Sequence, residues 1–499
     1  MSHYNEAMGA STRSLHADNT LNLVTDVAPP MHLSTTFRYS NDPTQLVPWA
    51  DATPSDHDEN PHIYSRMSAP NTTRFETILS SLLHGQVISY SSGLSALHGA
   101  LTLLNPRRIS VGDGYHGCHG VIALFTRLTG LQKLPLDCEP DQLEKGDVIL
   151  LETPVNPQGT AFDIASYAAK AHARGAYLIV DSTFAPPGLQ EPFQFGADII
   201  MHSGTKYFGG HSDMLCGVLA TNRDDWAAQL KTDRLFIGTV MGSMEGWLGV
   251  RSLRTLEVRV QRQSENAARL ISWLDTALHA SNPAPDSDEA AVQAVLSQVL
   301  HASLQKVEGD WLKKQMPNGF GPVFSIIMKE MRFARELPSK LRFFQHATSL
   351  GGVETLIEWR TMTDATVDRS LLRISIGLEN WEDLKADLTR AFREIANFFH
   401  CHFCQFSPSI TMSETFTFTI HYFATASQYT SKNTESLPAP LKLSALFGEL
   451  EQRYPGIVDK VLSTCGVSLD GEYVDVEEDG EVLIQAGGEV AVIPPVSSG

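Results

Sequence analysis

The stretch Ser203-Gly204-Thr205-Lys206 places a lysine beside two hydroxyls and a glycine, just after the apolar run Ile199–Met201. Such a lysine can form an imine with a carbonyl compound while the hydroxyls hold a phosphate. Taken alone, the pattern reads more simply as a surface lysine. Asp181 closes another apolar run, Tyr177–Val180. A buried carboxylate there can keep a pyridinium nitrogen protonated and make the ring an electron sink; its plainer role is a helix N-cap. Ser92-Gly93-Leu94-Ser95 follows a third run and opens a helix, where small residues let backbone N–H groups face a phosphate. Tyr115, after Gly112-Asp113-Gly114, can stack on a flat ring. Tyr64 and Arg66 offer a second phosphate clamp, and Arg373 suits the bidentate pairing that an amino-acid carboxylate requires. A core tyrosine, a surface arginine or a turn glycine would explain each one singly. Their coincidence at strand tips is what points to a site.

The elements that must position these groups alternate between strand and helix. The runs Val87–Tyr90, Ile109–Val111, Val148–Leu151, Tyr177–Val180 and Ile199–Met201 lack in/out alternation and are separated by helix-length segments. That pattern predicts an α/β unit with a parallel sheet buried on both faces, whose ligands bind at the carboxyl ends of the strands. Beyond the Pro/Asp/Ser-rich stretch Ser281 to Ser287, strands at Pro322–Met328 and Leu371–Gly377, a glycine-containing turn at Ser349–Thr355 and a helix over Trp381–Phe399 form a smaller α+β part. Residues 400 to 412 lack periodicity. After them come an alternating strand Phe416–Phe423, a helical Leu443–Tyr454, and short strands at Tyr473–Val476, Val482–Ile484 and Glu489–Ile493, as expected for strands around one helix. The division expected is therefore an N-terminal arm (1–62), a large domain (63–260), a small domain (261–400), a linker (401–412) and a separate C-terminal domain (413–499).

At 499 residues the chain exceeds one hydrophobic core. Its formal net charge of −19 argues against nucleic acid or an anionic membrane as partner, because the phosphate interaction would be repulsive. No apolar run can span a bilayer, and the polar stretch Met1 to Thr20 has neither a secretory apolar core nor an Arg-rich transit pattern, so a cytoplasmic location is expected. The six cysteines are scattered, consistent with a reducing compartment. Cys401-His-Phe-Cys404 has no second pair nearby to complete a zinc site and reads as incidental; no metal is expected.

With these residues in place, the chain resembles the Cys/Met-metabolism family of pyridoxal-phosphate enzymes, the cystathionine gamma-synthases, cystathionine lyases and their relatives. The resemblance spans roughly residues 12 to 400. It is carried by His202-Ser-Gly-Thr-Lys-Tyr-Phe-Gly-Gly-His-Ser-Asp213, Glu152-Thr-Pro-Val-Asn-Pro157, Val180-Asp-Ser-Thr-Phe184, Ser349-Leu-Gly-Gly-Val-Glu-Thr-Leu356 and Arg373-Ile-Ser-Ile-Gly-Leu-Glu379, in that family's order. It implies the fold type I architecture and pyridoxal 5'-phosphate as cofactor. It further implies Lys206 as the imine-forming, proton-shuttling lysine, Asp181 at the pyridinium nitrogen, Tyr115 stacked on the ring and Asn156 at the ring's oxygen side. Gly93, Leu94, Ser203 and Thr205 would bind the phosphate, joined by Tyr64 and Arg66 from a neighbouring subunit, and Ser349 and Arg373 would receive the substrate carboxylate. A homo-oligomer, a dimer of dimers, follows from that shared site. Two places depart from the family: Met67-Ser-Ala-Pro-Asn-Thr-Thr73 replaces a compact Asn-Pro-Thr turn, and Ser182 replaces an asparagine. Leu350 after Ser349 resembles gamma-acting members, so gamma-replacement on an O-acylhomoserine is expected, with cystathionine beta- or gamma-lyase activity as the alternative.

From about residue 413 the sequence resembles the small sulfur-carrier subunit of molybdopterin synthase, a ubiquitin-like beta-grasp domain. Phe418-Thr-Ile-His-Tyr-Phe-Ala424, Leu446-Phe-Gly-Glu-Leu-Glu-Gln-Arg-Tyr-Pro455, Glu472-Tyr-Val-Asp475 and Gly487 through Gly499 carry it. The resemblance implies that Gly499 is adenylated by a ubiquitin-activating-type enzyme, converted to a thiocarboxylate, and presented to the large molybdopterin synthase subunit for molybdenum cofactor biosynthesis. A terminal glycine suits a narrow active site because it has no side chain to clash. Ser498 stands where that family usually has the first of two glycines. Met412 stands where the resemblance begins, so a bifunctional chain and two adjacent coding regions read as one both remain open, with separate products preferred.

Overall fold

The computed structural model describes residues 8–22, 24–48, 51, 62–403, 417–470, 472–476 and 479–494. The chain divides into two units, Met1–Cys404 and Gln405–Gly499.

The first unit is built on a seven-stranded sheet. Its strands are β1 (Gln86–Tyr90), β2 (Arg108–Val111), β3 (Gln132–Pro135), β4 (Val148–Glu152), β5 (Tyr177–Asp181), β6 (Ile199–Ser203) and β7 (Gly217–Thr221), in the order β1-β7-β6-β5-β4-β2-β3. All five anticipated strands are present. β3 and β7 were not anticipated, and β7 departs from the expected parallel arrangement, pairing antiparallel with both β1 and β6. The remaining neighbours are parallel. Nearly every central-strand residue is buried, which is why these segments read as unbroken apolar runs. Register decides what meets at the tips: Glu152 lies opposite Asp181, so the last residues of β4 and β5 are two neighbouring carboxylates.

A second sheet follows, with strands β8 (Leu296–Leu300), β9 (Val323–Met328), β10 (Gln345–His346), β11 (Leu356–Trp359) and β12 (Leu371–Ser375) in the order β10-β11-β12-β9-β8. Helices Leu256–Leu278, Asp288–Val295 and Trp381–Phe403 cover it, burying Leu270, Leu274, Leu388 and Phe392 against Phe324, Ile326 and Ile374. The last helix runs past Phe399 into the stretch read as a junction; residues 404–412 lie outside the described residues.

The second unit has a five-stranded sheet of β13 (Thr417–Tyr422), β14 (Thr434–Pro438), β16 (Gly466–Leu469), β17 (Glu472–Val474) and β19 (Glu489–Ile493), ordered β14-β13-β19-β16-β17. The short β15 (Leu441–Lys442) pairs with β18 (Leu483–Ile484). β13 and β19 pair in parallel at the centre. Helix Leu446–Arg453 packs Leu446 and Leu450 against Phe418, Ile420, Val490 and Val492. The expectation of one helix falls short, because Thr425–Thr430 and Ile457–Lys460 are helical too. These segments are too short for their periodicity to be read from sequence.

The N-terminal segment is tied to the first unit through buried charge. Asp18 is 1% exposed, 3.1 Å from Arg74 Nη1 and 2.8 Å from Arg254 Nη2. Removing one partner of a buried ion pair strands the other. Asp18→Ala is therefore expected to destabilise this unit by about 3–5 kcal/mol, measured as a lowered urea midpoint followed by tryptophan fluorescence; a midpoint equal to wild type would show that the contact contributes nothing.

Candidate functional site

The carboxyl ends of β4, β5 and β6 open onto a cavity of about 390 Å³, closed on its other side by the loop 348–350 and by Arg360 and Arg373. A larger hollow of about 700 Å³, between the N-terminal segment and helix Ser243–Leu253, contains none of the candidate residues. Of those expected from sequence, Gly93, Leu94, Tyr115, Asn156, Asp181, Ser203, Thr205, Lys206, Ser349 and Arg373 all line the smaller cavity.

Lys206 sits in the turn after β6, and its Nζ donates to Ser349 Oγ at 2.7 Å. Burial, then the Arg373 guanidinium, lower its ammonium to about 8. Ser349 adopts φ 81°, a left-handed conformation that non-glycine residues rarely take. The following loop is pinned: Gly351 N donates to Ser375 Oγ, Gln263 Nε2 to the Gly352 carbonyl, and Val353 N to the Gly210 carbonyl. Those bonds stabilise the strained backbone that aims the hydroxyl at the lysine.

Arg373, on β12, donates from Nη2 to the Ser349 carbonyl at 2.8 Å and from Nη1 to Asn156 Oδ1 at 3.1 Å. It is also ion-paired with Glu358. Burial pushes the Glu358 carboxyl up, but Arg373, Thr363 and Arg360 more than offset that and hold it below the ordinary range.

On the opposite wall Asp181 is not a helix cap; its Oδ1 accepts from Thr183 N at 3.0 Å and from Thr183 Oγ1 at 2.5 Å. Burial raises its carboxyl against those bonds. Glu152 is raised by burial and next by repulsion from Asp181. Its two oxygens accept from Tyr115 N at 2.8 Å and Asn156 N at 2.7 Å, so one carboxylate ties the loop bearing the aromatic ring to the loop bearing Asn156.

The third wall is the start of helix Gly93–Leu104, capped by Ser92 Oγ accepting from Ser95 N at 3.1 Å. A Cβ at Gly93 would approach Ser203 Cβ to 3.1 Å, tighter than ordinary contact, so glycine eases the close approach of the helix start to β6. Thr205 Oγ1 is held by Cys216 N at 3.0 Å.

Tyr64 and Arg66 are not brought to this cavity within the chain. Both are exposed, the guanidinium lying 5.5 Å from the Tyr64 ring centroid while Arg66 Nη1 donates to the Leu235 carbonyl. Gly499 lies outside the described residues. Sequence reasoning assigned no role to Glu152, Thr183, Glu358 or Arg360. Glu152 ends an apolar run as Asp181 does, a signal that was available; Arg360 gave none. No cluster of metal-ligating side chains occurs among the described residues, and no helix among them is long and apolar enough to cross a membrane.

With no other reactive partner, the Lys206 amine should lose its proton near pH 8 rather than near the ordinary lysine value of about 10.4. In protein freed of small molecules, competitive acetylation of Lys206 is therefore expected to rise through a midpoint near pH 8; a midpoint matching the surface lysines would refute the burial argument.

Residues 11–393 match the family of Cys/Met metabolism PLP-dependent enzymes, and residues 420–499 match the ThiS family. Cystathionine beta-lyase of Lactococcus lactis subsp. cremoris (strain MG1363) is 32% identical over 351 residues, covering 66% of this chain and 88% of that protein. Cystathionine gamma-synthase of Mycobacterium bovis is 34% identical over 347 residues, covering 66% and 85%. The crystal structure of metB from Corynebacterium glutamicum superposes with a TM-score of 0.68 at 29% identity, covering 78% of this chain and 99% of that one. The first unit thus has the fold type I architecture, the second the beta-grasp of a sulfur carrier. The cavity fits pyridoxal 5'-phosphate: it offers a buried carboxylate, a lysine amine, and the start of helix Gly93–Leu104 beside the Ser203 and Thr205 hydroxyls. By this match, this fold and this donor set, the chain belongs to the Cys/Met metabolism family of pyridoxal-phosphate-dependent enzymes.

Proposed function

We propose that the first unit replaces the γ substituent of an O-acylhomoserine with a sulfur nucleophile such as cysteine. The observation that carries this reading is the chain Lys206–Ser349–Arg373, in which one pinned loop bridges a proton-accepting amine after β6 and a guanidinium on β12 suited to a carboxylate. Leu350 also lines the cavity and offers an apolar wall to a γ-substituted chain.

Bound pyridoxal phosphate supplies an electron-accepting ring that stabilises negative charge on the substrate carbons. Gly93, Leu94, Ser203 and Thr205 hold the phosphate at the helix start. Asp181 would hold the ring nitrogen, where a cationic partner would relieve the cost of a buried lone carboxylate. Tyr115 would hold the ring by its aromatic face and Asn156 would bind its oxygen side. Tyr64 and Arg66 reach the phosphate of a second copy, which makes a homo-oligomer part of the site. Ser349 and Arg373 orient the substrate carboxylate. Lys206 Nζ accepts the Cα proton and moves protons at Cβ. The Cγ–O bond breaks with the acyl group leaving as its carboxylate, and the cysteine thiolate forms the Cγ–S bond. Cleavage of cystathionine uses the same residues, and the likeness to a Lactococcus cystathionine beta-lyase favours keeping it as a second reading.

We infer that the second unit is a sulfur carrier for molybdopterin synthesis, activated at Gly499 by an adenylating enzyme of the ubiquitin-activating type and docking on the large molybdopterin synthase subunit. Its beta-grasp sheet and its likeness to the ThiS family support this.

Purified holoenzyme given L-cysteine and O-acetyl- or O-succinyl-L-homoserine is expected to form cystathionine. An enzyme that cleaves cystathionine but consumes no O-acylhomoserine would sink the γ-replacement reading. For the carrier, Gly499→Trp is expected to abolish the thiocarboxylate seen by intact-mass spectrometry with an activating enzyme and a sulfur source; a mutant thiocarboxylated as fast as wild type would refute the assignment of Gly499.

A further inference from the structure

Arg360 also lines the cavity, is 2% exposed, and uses only part of its guanidinium. Nη1 donates to Glu358 Oε2 at 3.1 Å and to Thr363 Oγ1 at 3.0 Å. Nε and Nη2, both buried, have no hydrogen-bond partner. Asp364 Oδ2 stands 3.5 Å from Nη2 as an ion-pair contact without hydrogen-bond geometry. Nε–H and the adjacent Nη2–H form the side-on fork that matches the two oxygens of a carboxylate. Leaving two guanidinium donors buried and unmade costs more than leaving out the side chain, so a retained open fork calls for a partner.

The neighbourhood says where that partner comes from. Glu358 Oε2 touches both Arg360 and Arg373, so two guanidiniums stand on either side of one carboxylate. Arg373 is the receptor for the substrate's α-carboxylate in the reading given above, on which this step rests. We propose that the Nε–Nη2 edge of Arg360 is a second anion site, binding a carboxylate at the far end of the substrate's side chain, so that the enzyme prefers amino acids carrying two carboxylates. Both a dicarboxylic acyl ester of homoserine and cystathionine present such a group.

The direct test uses holoenzyme and two ligands of equal chain length that lack a leaving group, L-2-aminoadipate and L-norleucine, titrated by the change in cofactor absorbance. A charge-assisted bidentate contact predicts that aminoadipate binds at least about tenfold tighter. Arg360→Met is expected to bring that ratio close to one, and Arg360→Lys, which keeps the charge but not the fork, to leave it in between. Equal binding of the two ligands by wild type, or an undiminished ratio in Arg360→Met, overturns the proposal. The wild-type comparison stands even if the variants fold poorly. Because neither ligand can react through to product, failure of the γ-replacement reading would leave this preference intact. The source of the carboxylate is then read from kcat/KM in Arg360→Met relative to that for O-acetyl-L-homoserine. A selective loss of about tenfold with O-succinyl-L-homoserine assigns the site to the acyl group, and the same loss with L-cystathionine assigns it to the second amino-acid moiety. No selective loss with either overturns it.

Discussion

A lysine amine, two carboxylates at strand tips and two guanidiniums are drawn out of water around one cavity, and the packing of the first unit answers to the cost of doing so. Isolated buried charges are expensive, so each has a dedicated neighbour. Glu358 sits between Arg360 and Arg373, Thr183 donates twice to Asp181, and Glu152 collects the N–H groups of Tyr115 and Asn156. These partners come from both sheets. Lys206 and Asp181 belong to the first, Arg373 and Glu358 to the second, and the Ser349 loop joins them. The second sheet therefore completes the electrostatics of a cavity whose lysine amine follows a strand of the first.

Much of the first wall was legible in the sequence because burial on both faces leaves apolar runs, and each run ends where polar residues begin. The signal fails at β3 because that strand is a mostly exposed edge reading Gln-Lys-Leu-Pro; β7 is buried throughout, but its short Gly-Val-Leu-Ala-Thr run is only weakly apolar and sits close behind the lysine turn. The expected residues that line the cavity were those lying in local motifs. Glu152 was in view within such a motif, yet its meaning depends on the Glu152–Asp181 register, which no single strand reveals. Arg360 was illegible for a stronger reason. A buried arginine and a surface arginine look alike in sequence, and its partners Glu358 and Thr363 are adjacent in sequence but inform only once folded.

The second unit shows the complementary case. Alternation in Phe416–Phe423 marked a strand with one buried face, and β13 has that pattern of burial. The short helices and the β15–β18 pair were missed because two to six residues cannot display a period. Its centre is made by residues far apart in sequence: Ile420 and Tyr422 of β13 pair with Val490 and Val492 of β19.

That central pairing bears on how the polypeptide is made. β13 is the first strand of its sheet to leave the ribosome and β19 the last, and each is the other's neighbour. β13 meets β14 early, Phe418 opposite Leu437 and Ile420 opposite Glu435, but its other edge must wait for β19 until nearly the whole segment has been synthesised. The upstream unit, whose strands β4, β5 and β6 pair with close sequence neighbours, can condense well before then. The second unit's sheet thus closes only when its own last strand is in place, and until then the side of β13 that β19 covers is an unpaired strand edge.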